Sequence, residues 1–309
     1  ARYSVGPYNV KYYELWNEPD IDPALVPGNS GYGCWGDDTD AYYNGGAYGE
    51  MLKAVYPQVK VADPTAQVLV GGLLLDCNPG LPGACVDTKP PMFMEGILVD
   101  GAGPYFDGVS FHAYDYYEGV PGMYENPNWD GVGPVVSAKA GFLRGVLAAY
   151  GFPDKFLANT EAALLNDTTG DCDTNCENTK AYYVPQVYAT AIALGLRANV
   201  WYSAHGWRGS GLLESDNTPL PAYTTYQFAR AELRSATYLA DVTYEGVKGY
   251  KLDRGDRQIM VLWSTDGVDH AEILDAEPLA IWNAFGDAVS VNGTNVNVGL
   301  VPLYVEFSP

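Results

Sequence analysis

Positive charge is scarce in this sequence of 309 residues. Lys and Arg number 17 against 38 Asp and Glu, for a formal net charge of -21. A chain this acidic repels nucleic acid phosphates and anionic lipid surfaces, so neither nucleic acid nor a membrane is expected as a partner. Histidine is scarcer still, at three residues, and cysteine numbers five. The spacings contain no paired C-x-x-C pattern, which leaves zinc as the weaker explanation for the cysteines. There is no run of the roughly 18 apolar residues that a membrane-spanning helix needs. The G-x-S-x-G elbow of serine α/β-hydrolases is missing as well, as are low-complexity segments and short-period repeats.

What is present is an ordinary globular composition. At 47% hydrophobic content the chain can bury one large core and a smaller second one. Tyr (25), Phe (9) and Trp (7) are plentiful. Aromatic faces stack on the C–H faces of sugars, although most such rings are core residues. Cys77 and Cys85 bracket "CNPGLPGAC", and Cys172 and Cys176 bracket "CDTNC", both in loops rich in turn residues, with Cys34 left over. Read as local disulfide staples, these pairs would clamp loops, each contributing roughly 2 to 3 kcal/mol in the chain-entropy model. Disulfides together with acidity favour an extracellular, secreted protein. The "DCDTNCE" loop carries Asp171, Asp173, Asn175 and Glu177 at alternate positions, loosely like a calcium loop, but lacks the glycine at its sixth position.

The hydrophobic period alternates along the chain. Strands are expected at 10–16, 66–75, 106–114, 155–164 and 198–204. Helices are expected at 40–56, around 91–99, from Ala138 through Tyr150 to a stop at Gly151, at 179–197 with a possible kink at Pro185, and at 221–234. The run "AQVLVGGLLL" is apolar on both faces, which marks a parallel strand covered on both sides. Five βα units in succession predict a parallel sheet. From about 236 the pattern changes to short alternating runs between Gly, Asp and Asn turns. The expected organisation is an α/β domain over 1–235 and an antiparallel β domain over 236–309.

In parallel α/β folds the chemistry sits at the carboxyl ends of the strands, where loops and helix N-termini converge. Glu18 in "KYYELWNEPD" and Glu161 in "KFLANTEAAL" both fall at such ends. Paired carboxylates facing one cleft are what glycosidic bond cleavage requires, one protonating the leaving oxygen and the other attacking the anomeric carbon. Mutual repulsion and unequal burial separate the two proton affinities and so divide the roles. The plainer alternative is that each Glu is a surface or helix-capping residue.

"LWNEP" at 15–19, "FHAY" at 111–114 and "TEAAL" at 160–164 resemble the ends of the fourth, sixth and seventh barrel strands of clan A glycoside hydrolases, most like families 39 and 5. The resemblance covers nearly the whole chain. It implies a partial (β/α)8 barrel of about five βα units, equivalent to strands four to eight, followed by a small antiparallel, sandwich-like β domain. It further implies Glu18 as general acid/base, Glu161 as nucleophile, and a retaining double displacement that needs no metal or other cofactor. Asn17 would hold the sugar 2-hydroxyl, His112 and Tyr114 would line the sugar site and steady the nucleophile, and Trp201 would floor it. Trp207 and His205 are weaker candidates for that last position.

The strand that carries the acid/base is fourth in the family but first here, so about three βα units are missing from the expected barrel. An open remnant would expose two sheet edges. A homo-oligomer across the open side, or a missing N-terminal half-barrel, is therefore expected alongside the carbohydrate substrate. The runner-up reading is a catalytically weak or inactive carbohydrate-binding relic of such an enzyme.

Overall fold

The computed structural model describes residues 6–22, 33–166, 170 and 172–309. The chain divides into two compact units that interleave in sequence. One comprises Ala1–Ala113, Pro127–Asp130 and Ala138–Glu161; the other comprises Tyr114–Asn126, Gly131–Ser137 and Ala162–Pro309.

The elements up to the β domain are β1 (Tyr12–Asn17), α1 (Gly45–Ala62), β2 (Gln67–Leu73), α2 (Phe93–Val99), β3 (Gly108–Tyr117), β4 (Tyr124–Glu125), α3 (Val136–Ala149), β5 (Phe156–Asn166), α4 (Thr174–Ala193), β6 (Asn199–Trp201) and α5 (Pro221–Leu233). Five strands form one sheet in the order β1-β2-β3-β5-β6, with the short β4 paired antiparallel to β3. β1 pairs parallel with β2, and β2 with β3. This is the parallel α/β sheet that the alternating period predicted and the partial barrel that the family resemblance implied. The β4 hairpin, two residues long, is too short to leave a periodic signal.

Element boundaries differ from expectation for local reasons. α1 starts at Gly45, not near 40, because Tyr43 and Asn44 hold φ of 52° and 62°; left-handed residues cannot join a right-handed helix. α4 starts at Thr174 because the Asp173 side chain accepts the Cys176 N–H at 2.8 Å, an N-cap that the apolar pattern does not show. The stop at Gly151 stands as expected. Gly151 has φ 84°, and its N–H and that of Phe152 reach back to Ala148 O and Leu147 O.

Within the first unit, β2 is buried from Val68 through Leu73, as its two-faced apolar run predicts. Leu52 of α1, Phe93 and Ile97 of α2, and Leu143 and Leu147 of α3 are all almost fully buried. Each contributes about 1.5 to 3 kcal/mol relative to leaving it exposed. Tyr48, on the buried face of α1, ties β1 to β2: its hydroxyl donates to Leu15 O and accepts the Gly71 N–H. Its ring packs edge-on against Trp35 and Phe93.

The second unit carries the β domain: β7 (Thr237–Tyr244), β8 (Val247–Asp253), β9 (Gln258–Ser264), β10 (His270–Ile273), β11 (Ala280–Asn283), β12 (Ala288–Val289), β13 (Asn295–Val298) and β14 (Leu303–Phe307). Six of these strands form an antiparallel sheet in the order β12-β11-β14-β9-β8-β7, and β10 and β13 form a separate two-stranded sheet. Val247, Met260, Leu262, Val296, Val298 and Val305 form one buried cluster that joins residues of both sheets.

Candidate active site

Glu18 follows directly on β1. Its N–H donates to Gly72 O at 2.9 Å, continuing the β1–β2 ladder by one residue, and its carbonyl accepts the Ile21 N–H. The backbone bends sharply here, with Trp16 at φ 84° and Glu18 at φ 46°. Two non-glycine residues in the left-handed region, one residue apart, are an unfavourable arrangement of the kind that concentrates at functional sites.

His112 lies on β3, and its imidazole is 1% exposed. Nδ1 is 2.9 Å from Glu18 Oε1 and 3.5 Å from Glu161 Oε2. The two carboxylates are 14% and 20% exposed, so both remain open to solvent. Ligand atoms of Glu18, His112 and Glu161 all lie within 4.8 Å of one another. Among the described residues this is the one place where three such donors converge. The imidazole has room only because residue 72 is glycine: a Cβ there would sit 2.2 Å from His112 Nε2.

Asp20 lies behind Glu18. It is 2% exposed, and its two oxygens accept the N–H groups of Leu74 (2.8 Å) and Leu75 (2.9 Å). Burial pushes its pKa up from 3.8 to about 6; the two backbone hydrogen bonds oppose that rise and the charge of Glu18 adds to it. Lys139, also 2% exposed, reaches from α3 to donate to Leu74 O at 2.7 Å and His112 O at 2.9 Å. Trp129 Nε1 donates to Leu75 O. Sequence reasoning missed Asp20, Lys139 and Gly72. The signal for Asp20 was an acid at the end of the quoted "NEPD"; nothing local marks Lys139, which looks like any helix-surface lysine.

The structure thus brings Glu18, His112 and Glu161 together in one unit, with Asn17 paired to Gly72 in the register of β1 and β2. Tyr114 and Trp201 belong to the other unit. There Tyr114 is 7% exposed, its carbonyl accepts from Asn126, and its ring packs edge-on against Tyr202. Trp201, 8% exposed, donates from Nε1 to Ser210 O and packs against Tyr183. Trp207 is 54% exposed and lies within 5.4 Å of the Arg208 guanidinium, while His205 Nδ1 meets Glu214 O.

Cys77–Cys85 and Cys172–Cys176 are disulfides, as the loop spacing predicted, and Cys34 belongs to neither. Of the calcium-like loop, Asp171 lies outside the described residues, Asp173 caps α4, and Glu177 pairs with Lys180 at 2.8 Å. Among the described residues no helix is long and apolar enough to cross a membrane.

No protein-family profile matches the chain, and no curated protein matches it. Solved structures do. A family 39 glycoside hydrolase from Bacteroides cellulosilyticus WH2 aligns with TM-score 0.66 at 20% identity, over 94% of this chain and 57% of that one. A family 30 subfamily 8 xylanase from Clostridium acetobutylicum aligns with TM-score 0.57 at 12% identity, over 97% of this chain and 67% of that one. A family 39 β-xylosidase from Caulobacter crescentus aligns with TM-score 0.53 at 17% identity, over the whole of this chain and 69% of that one. The chain therefore spans between somewhat more than half and about two thirds of the length of these enzymes. Over that span it has the fold of the clan A glycoside hydrolases.

Proposed function

We propose that the protein is a retaining glycoside hydrolase that cleaves O-glycosidic bonds of poly- or oligosaccharides. The observation that carries this reading is the pair Glu18, directly after β1, and Glu161, midway along β5, with His112 between them and oxygens within 4.8 Å. Retaining enzymes hold their two carboxyl groups about 5 to 5.5 Å apart, too close for a water to stand between carboxylate and sugar as inversion requires.

In the first step Glu161 attacks the anomeric carbon while the protonated Glu18 gives its proton to the departing glycosidic oxygen. A glycosyl ester on Glu161 results. In the second step the ionised Glu18 takes a proton from water, the hydroxide oxygen bonds to the anomeric carbon, and Glu161 leaves as carboxylate. When Nδ1 of His112 carries a proton it donates toward both carboxylates and fixes their spacing. Asn17 holds the sugar 2-hydroxyl.

The catalytic part is residues 1–235, with 236–309 as the appended β domain. Two disulfides and the acidic composition fit a secreted protein. β1 and β6 are the outer strands of the parallel sheet, and Tyr12 and Trp16 on β1 are each 48% exposed. A second copy of the chain covering the β1 edge would pair it and bury those rings.

Turnover of 4-nitrophenyl glycosides tests the reading. Wild-type protein hydrolyses at least one of them with retention, and Glu161→Gln lowers kcat by about 1,000-fold or more while remaining folded. An activity that survives Glu161→Gln would overturn the assignment. The second reading is a catalytically weak or inactive, sugar-binding relic of such an enzyme. Sugar binding by calorimetry without any turnover is the result that selects it.

A further inference from the structure

We propose that Asp20 and Lys139 act as a buried positioning pair that locks the Glu18 turn to the His112 strand through the Leu74–Leu75 backbone. The inference rests on the catalytic reading of Glu18 and His112 and assigns those residues their mechanical support.

The connection is continuous. Both oxygens of Asp20 are occupied, one by the Leu74 N–H and one by the Leu75 N–H. The carbonyls of the same two residues are held from the other side, Leu74 O by Lys139 and Leu75 O by Trp129. The Lys139 ammonium then spans to His112 O. A negative and a positive charge, each 2% exposed, are thus joined by the N–H and C=O groups of one residue, whose dipoles point favourably at both ends. The circuit closes on the chemistry. Asp20 is two residues from Glu18, the ammonium grips the backbone of His112, and the His112 imidazole meets the Glu18 carboxylate at 2.9 Å. Leu75 sits at φ 47°, a conformation unfavourable for leucine, and the carboxylate and the indole hold that residue at its N–H and its carbonyl. Both charges are buried and act through the backbone groups they hold, so both are positioning residues.

The test uses the full chain. Asp20→Asn keeps the size of the side chain but turns an NH2 group toward one of two N–H donors, which opens one end of the circuit. Two readouts are taken: kcat and KM on the best 4-nitrophenyl glycoside, and the imidazole 1H–15N resonances of His112, assigned by loss of the signal in His112→Gln. The expected result is a kcat lowered about 10- to 100-fold with KM changed less than about threefold, together with displaced His112 resonances. A folded Asp20→Asn protein with kcat within about twofold of wild type and unmoved His112 resonances overturns the proposal. If Asp20→Asn does not fold, Lys139→Arg, which keeps the charge but changes the reach, is read in the same way and must displace the same resonances. If wild-type protein hydrolyses no glycoside, the hydrolase reading falls by itself. The His112 resonances, which need no substrate, then decide the positioning pair alone.

Discussion

Asp20 makes the stability of the protein depend on pH in a direction opposite to that of most carboxylates. Its pKa stands at about 6 in the folded chain against an ordinary value of 3.8, with burial as the main cause. The folded state therefore holds the Asp20 proton more tightly than the unfolded state does. Above about pH 6 both states have lost that proton, and folding bears the full cost of an ionised carboxylate in a buried site. The difference between 3.8 and about 6 corresponds to about 3 kcal/mol. As pH falls from 6 toward 4 the folded state binds the proton first and the cost is relieved; below 3.8 it is gone. Glu18 adds to the rise, Lys139 is held to the same stretch of backbone, and burial pushes the nearby phenols of Tyr43 and Tyr48 upward, away from this range. Asp20→Asn cannot ionise and lacks the effect. Urea unfolding of both proteins between pH 4 and 7.5 reads it: wild type should lose about 2 to 3 kcal/mol relative to the variant as pH rises across that interval. A difference constant within about 0.5 kcal/mol, or one in which wild type gains on the variant as pH rises, would refute the reasoning.

Two further outcomes follow from packing. In Gly72→Ala the new methyl would stand 2.2 Å from His112 Nε2; the imidazole must move, so kcat should fall by about 10-fold or more, with a loss of about 1 to 3 kcal/mol in unfolding free energy, and wild-type turnover in this variant would refute the contact. Light scattering should find a mass above 33.4 kDa that persists on dilution, and a monomer that binds no hydrophobic dye would refute association through the β1 edge.

The fold was legible where apolar period and turn chemistry agree. The continuous apolar run 66–75 became the buried β2, and the spacing of Ala138, Phe142 and Val146 became α3, ended by Gly151. Legibility was lost where the deciding contact is a side chain on the backbone, as with Asp173 capping α4, or a left-handed residue such as Asn44 before α1. The same division holds at the site. Glu18 could be found because strand ends announce themselves, Glu161 by its place in "TEAAL" although β5 runs past it to Asn166 and does not end there as expected, and His112 because it lies on β3 in "FHAY". Asp20 and Lys139 could not, because their partners are the carbonyls and N–H groups of Leu74, Leu75 and His112, and backbone atoms have no letters in a sequence.

Trp16, Glu18 and Leu75 all hold positive φ beside the carboxyl ends of β1 and β2. Such a conformation costs roughly 1 to 3 kcal/mol for each non-glycine residue. Glycine or asparagine at Trp16, which is half exposed, would relax that local strain and loosen the turn that presents the carboxylate. A laboratory selection for heat resistance alone would accept those replacements, and a selection for turnover would reject them. Running both on one library would separate the residues that keep the protein folded from those that keep it poised.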